Sequence, residues 1–200
     1  MSASARLHRR WPRKAGQRGT TLIEVLISVV ILLVALLGAA GMMARSNQSE
    51  MESYQRVQAL TLLQDMTARL NANRQVATCY AVAGTTTTAG SGGLSAPSCT
   101  AGTAAQQATV AADLAAWNTA LLGNAETAAS GTIALGAMMG ARGCIEVIDT
   151  TNQIYRLTVA WQGLVQTVPS ALPCGSGSNS FGNDAYRRAI SVQVRIGVLS

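Results

Sequence analysis

Gly19-Thr20-Thr21-Leu22-Ile23-Glu24 opens a run in which the next twenty residues, Val25 to Ala44, carry no charge until Arg45. At about 1.5 Å per residue, a helix of that length covers about 30 Å, the thickness of a bilayer core. The stretch is therefore a transmembrane helix candidate. Glu24 is its single acid, placed at the N-terminal edge. An unpaired acid costs about 2.5–3.5 kcal/mol at the centre of a span, so this one requires headgroup depth or a partner.

Working outward, the N-terminal flank holds Arg6, Arg9, Arg10, Arg13, Lys14 and Arg18 and no acid. These six of the fifteen Lys and Arg account for the whole formal charge of +6, because the chain after Gly19 carries nine cations and nine acids. Cations before a span place that side in the cytoplasm and the C-terminal part across the membrane. A cleaved secretory signal is the competing reading. The apolar run exceeds the roughly 7–15 residues of such a signal, and no plausible mature start follows a small-residue cleavage site.

Taken together, Gly19-Thr20-Thr21-Leu22-Ile23-Glu24-Val25-Leu26, the basic leader before it and the uncharged run after it resemble the class III signal of type IV pilins and pseudopilins. The resemblance implies that an aspartyl prepilin peptidase cuts between Gly19 and Thr20 and methylates the new N-terminus at Thr20. Thr20 stands where the family usually has Phe, a departure that bears on methylation more than on cleavage. It also implies a task for Glu24: its carboxylate, buried among packed apolar helices, is offset by the Thr20 amine of a neighbouring subunit, which sets the docking register. Removing one partner of such a pair leaves a buried charge costing roughly 3–5 kcal/mol.

Beyond Arg45, Met51, Tyr54, Val57, Leu60, Leu63, Met66 and Leu70 recur every three or four residues with polar residues between them, and no proline falls between Thr20 and Asn73. The pattern predicts one helix of about fifty residues whose second half is amphipathic. Gly38 and Gly41 lie inside it, at a site of close helix packing or of bending. The small residues of Gly84 to Gly93 predict a flexible surface loop. Val110, Leu114, Trp117 and Leu121 predict a second helix ending near Gly123, with Trp117 as its anchor to the core. Strands are predicted at Cys144 to Ile148, around Tyr155, Leu157, Val159 and Trp161, and from Ile190 to Val198. Their period of two predicts an antiparallel sheet covered on one side. The fold class is α+β: a long N-terminal helix on a C-terminal antiparallel sheet, the arrangement of the pilin fold.

Three segments extend the resemblance towards the PilV group of minor pilins: Asp113-Leu114-Ala115-Ala116-Trp117, Tyr155 to Gly163, and Tyr186 to Val192. This implies a cleaved leader at 1–19, a membrane and filament-core helix at 20–44 and a periplasmic head at 45–200. It implies a single pass in the inner membrane before assembly and a place in the pilus, at its tip, afterwards. The implied partners are prepilin peptidase, the other minor pilins, the major pilin and the inner-membrane assembly platform. The implied role is priming of pilus assembly in support of adhesion and twitching motility. The four cysteines, Cys79, Cys99, Cys144 and Cys174, follow the span, on the side where disulfides persist. Of three possible connectivities, the local pairs Cys79 with Cys99 and Cys144 with Cys174 are favoured, each bracketing a loop rich in small residues.

Other functions find less footing. His8, the only histidine, lies in the leader, the acids form no catalytic pair, and no Cys-x-x-Cys spacing exists. Enzymatic chemistry, a metal and a cofactor are therefore not expected. A minor pseudopilin of type II secretion would share the signal, Glu24 and the long helix. A pilin that binds DNA for uptake would need a basic patch. Arg187, Arg188 and Arg195 form a weak one, for which a solvated sheet face is the simpler account.

Overall fold

A computed structural model describes residues 19–123, 138–177 and 181–197. The basic leader, up to Arg18, and Val198 of the last predicted strand lie outside the described residues. The chain divides into an N-terminal unit ending at Ser46 and a larger one from Asn47 onward.

The helix α1 runs from Leu22 to Ala72. Its length follows from the absence of proline and from good helix formers between β-branched residues whose side chains leave the backbone regular. Gly38 and Gly41 are both helical, and a Cβ added at either would meet nothing within 4 Å, so among the described residues nothing packs closely against them.

In the larger unit, β1 (Thr86–Gly90), β2 (Arg142–Asp149), β3 (Ile154–Gln162) and β4 (Arg187–Arg195) form one antiparallel sheet in the order β1-β2-β3-β4. The second half of α1 packs on this sheet: Ala59, Leu63, Met66 and Leu70 share one core with Ile145, Tyr155, Leu157, Val159 and Trp161. The predicted stripe is thus half right. Leu63, Met66 and Leu70 are buried, but Met51, Tyr54, Val57 and Leu60 are exposed, and Gln55 and Ala59 take the inner positions. Each residue turns a helix by about 100°, so three steps fall about 60° short of a full turn. The series 51, 54, 57, 60 therefore winds around the helix, whereas the alternating steps 55, 59, 63, 66, 70 stay on one face.

The helix α2 (Ala104–Leu121) starts earlier than its apolar pattern indicates, because Thr103 and Gln106 form a reciprocal capping box. Trp117 is its anchor to the core: the ring is fully buried and its Nε1 donates to the Leu62 carbonyl of α1 at 3.1 Å. On its other side the ring lies over Gly143, where a Cβ would come within 2.2 Å of it.

Two expectations fail here. The small residues between Gly84 and Gly93 include the strand β1, with Thr87 and Ala89 buried. Small side chains are required because α2 packs beside this strand: Asn118 Oδ1 accepts from the Gly90 amide at 2.7 Å. Gly90 itself has φ 86°, and a Cβ there would strike the Ala141 carbonyl. The sheet is also not bare on its second face. Cys144, Ala160, Cys174 and Phe181 make a small separate cluster there, partly built by the segment that follows β3.

Candidate functional site: the N-terminal motif and the head it carries

In the N-terminal unit, Gly19 and Thr20 precede the helix and are exposed. The helix begins as the Thr21 carbonyl accepts from the amides of Glu24 at 3.0 Å and Val25 at 3.3 Å. Glu24 is thereby the third residue of α1, where a carboxylate interacts favourably with the helix dipole. Ser28 Oγ donates to the Glu24 carbonyl at 2.7 Å, so the carboxylate itself takes no part in that bond. The apolar side chains along this segment, from Leu22 at 85% exposure to Leu37 at 74%, point outward all around the helix. Each gains about 1.5–3 kcal/mol on leaving water. A helix that is apolar on every side requires lipid or other apolar helices around it.

The head is held by three polar assemblies that no sequence pattern announced. In the first, Asp113 of α2 accepts from Arg69 Nη1 at 2.9 Å, Asn73 Nδ2 at 2.9 Å and Tyr80 Oη at 2.5 Å. This ties the end of α1 to α2 through one nearly buried carboxylate. Arg69 is also bonded to Asp65 at 2.9 Å, and its pKa is raised by these hydrogen bonds to Asp65 and Asp113. Burial, and then donation to Asp113, push the Tyr80 hydroxyl well above its ordinary pKa.

In the second, Arg187 sits at the start of β4 with 1% of its side chain exposed. Its guanidinium donates to Asp184 and to the carbonyls of Ser170 at 2.7 Å, Leu172 at 2.8 Å and Cys174 at 3.2 Å. In the third, Arg188 donates to Thr167 Oγ1 and to the Val165 carbonyl, both at 2.7 Å, to the Ala185 carbonyl at 3.3 Å, and to Glu52 of α1 at 3.2 Å. Disulfides Cys79–Cys99 and Cys144–Cys174 close the loops after α1 and after β3. The basic patch considered for nucleic acid loses its foundation here. Arg187 is enclosed and the donors of Arg188 are spent within the head, so only Arg195 of the three remains exposed. Glu52, two residues after Glu50, is likewise bonded to Arg188.

Among the described residues, no group of three or more His, Cys, Asp or Glu is placed to hold a metal ion. Residues 14–40 match the family model of the prokaryotic N-terminal methylation motif. No curated protein matches the chain, and no solved structure does. The motif match supports a type IV pilin-like prepilin or pseudopilin, and proteins carrying this motif are structural. It implies processing by a prepilin peptidase and assembly with a membrane platform. The apolar helix and the motif together fit a membrane-anchored pilin.

Proposed function

We propose that this protein is a minor pilin that helps to initiate assembly of a type IV pilus, within a priming subcomplex at the filament tip. The observation that carries the reading is a methylation motif at residues 14–40 leading into a long helix whose second half holds a compact, disulfide-closed head. In this reading prepilin peptidase cuts between Gly19 and Thr20, Thr20 receives the methyl group, and the new amine meets Glu24 of a neighbouring subunit during docking. The apolar segment serves twice, first as the single inner-membrane pass and then as part of the filament core. The head, on the periplasmic side, meets the other minor pilins and the major pilin. The resemblance of the head segments to the PilV group supports this assignment within the superfamily, with adhesion and twitching motility as the processes served.

The test is deletion of the gene, followed by counting of surface pili and measurement of twitching zones. Loss of pili, restored by the wild-type gene, is the expected result. Normal pili and motility with a secretion defect would assign the chain to a pseudopilus instead.

A further inference from the structure

Two buried tyrosines of the head differ in what their hydroxyls do. Tyr80 is enclosed, and its hydroxyl is engaged by Asp113 and Asn73. Tyr155, in β3, is 2% exposed, yet its hydroxyl makes no hydrogen bond among the described residues, and burial alone raises its pKa. A buried tyrosine hydroxyl ordinarily finds a partner. The Tyr155 oxygen is not sealed from solvent, and the residue lines a cavity of about 260 Å³ between the 78–83 segment and the hairpin of β2 and β3. Ala81, Val82, Ala83 and Val147 form the apolar side of this cavity. Half-buried Gln153 also lines it, and its carboxamide is likewise without a partner among the described residues. Gln153 is the one described non-glycine residue with a positive φ, 50°, a conformation that L residues seldom adopt.

We infer that this cavity binds a small uncharged molecule, a single ring or short branched chain bearing one hydroxyl or carbonyl, with its apolar part against Val82 and Val147 and its polar group on the Tyr155 hydroxyl. Water is a poor occupant, because a held water needs two to four polar partners and most of this lining is apolar. None of the lining side chains carries a charge, so an ion would lose its hydration without a counter-charge. The volume lies just below the roughly 300–1,000 Å³ of sites for drug-sized ligands, which limits the occupant to about one ring. The wall is built before any ligand arrives: the Thr85 amide and hydroxyl both donate to the Val82 carbonyl, at 3.1 and 3.0 Å, and the Thr87 hydroxyl donates to the Tyr80 carbonyl at 2.6 Å. The Cys79–Cys99 bridge closes the same segment, so little ordering entropy is lost on binding. Every residue used here lies in the head, and the inference is independent of the assembly reading.

The experiment titrates the full processed chain in nanodiscs with para-fluorobenzyl alcohol, read by fluorine NMR of the probe against empty discs. The wild type should show saturable binding beyond that of the empty discs. Tyr155→Phe keeps the ring and removes only a hydroxyl that has no partner in the head, so urea unfolding should be unchanged while affinity falls about two- to tenfold, the worth of one hydrogen bond. The probe para-fluorotoluene, which lacks the polar group, should bind the wild type and Tyr155→Phe equally. Val82 is 42% exposed and so tolerates a larger side chain; Val82→Trp should fill the cavity and abolish saturable binding. Absence of saturable binding to the wild type overturns the inference, because the cavity then holds water only. Binding of the alcohol that Tyr155→Phe leaves unchanged, or that persists in Val82→Trp, also overturns it, since either result places the probe elsewhere. A loss of stability in Tyr155→Phe overturns it as well, since the hydroxyl would then serve the fold.

Discussion

Arg187 grips Asp184 through two hydrogen bonds, Nε to Oδ1 at 2.6 Å and Nη2 to Oδ2 at 3.1 Å, while the arginine is enclosed by the carbonyls of the loop it holds. A guanidinium suits this position because its five donors spread in a plane and stay charged at any accessible pH. The same pairing keeps the Asp184 carboxyl below its usual pKa. Replacing Arg187 with Met removes the charge and leaves three carbonyls and Asp184 without their donor. A loss of about 1–3 kcal/mol is expected in urea unfolding from the carbonyls left without a donor, with faster proteolysis between Leu164 and Cys174. Arg187→Lys should recover little of it, since one ammonium cannot reach all four partners.

Gly143 and Trp117 make a second prediction. A Cβ at Gly143 would lie 2.2 Å from Trp117 Cη2 and 2.7 Å from Leu121 Cδ1. Both neighbours are fixed in the core, so Gly143→Ala should destabilise the head by about 1–3 kcal/mol, as overpacking does. The near-ultraviolet signal of the tryptophans should change with it. Gly143→Ala combined with Trp117→Phe should lose less than the sum of the two single losses, because the smaller ring yields the space.

The hydroxyl of Tyr80 gives a pH dependence. Its pKa is raised on folding from about 10, so its contribution to stability is complete below that value and is lost as pH rises from there towards the folded pKa. The slope expected above pH 10 is about 1.4 kcal/mol per pH unit from this group. Tyr80→Phe should flatten that slope in urea titrations between pH 9 and 11, while Asp113 keeps its bonds to Arg69 and Asn73.

Processing gives a prediction that depends only on the motif. Mass analysis of the protein recovered from cells should find Thr20 as its first residue, bearing one added methyl group. Gly19→Val should leave the full-length precursor in the membrane. A start elsewhere in the chain would remove the proposed cleavage site.

Much of this architecture is visible in the residues themselves, and the parts that are not share a cause. The long helix is legible because nothing between Thr20 and Asn73 breaks it, and Leu157, Val159 and Trp161 alternate as a half-buried strand must. β1 is hidden because it has no bulky apolar residues to alternate with polar ones: its three threonines favour a strand, but the small residues that fit beside α2 leave no period-two pattern to read. The Arg187-Arg188 pair looks like an exposed patch because the sequence shows adjacency, whereas its partners Asp184, Ser170 and Glu52 come from three different places in the fold. The motif around Glu24 is the opposite case: all of its information is local, and in the proposed assembly its partner lies in another molecule.

Glu24 is therefore the residue on which the proposed assembly most depends. The decisive measurement is the amount of Glu24→Ala protein in filaments sheared from cells that express it in place of the wild type. The variant is expected to be cleaved before Thr20 and to accumulate in the membrane at normal levels, yet to be absent from the sheared filaments. Cleaved Glu24→Ala protein incorporated as efficiently as wild type would contradict that dependence.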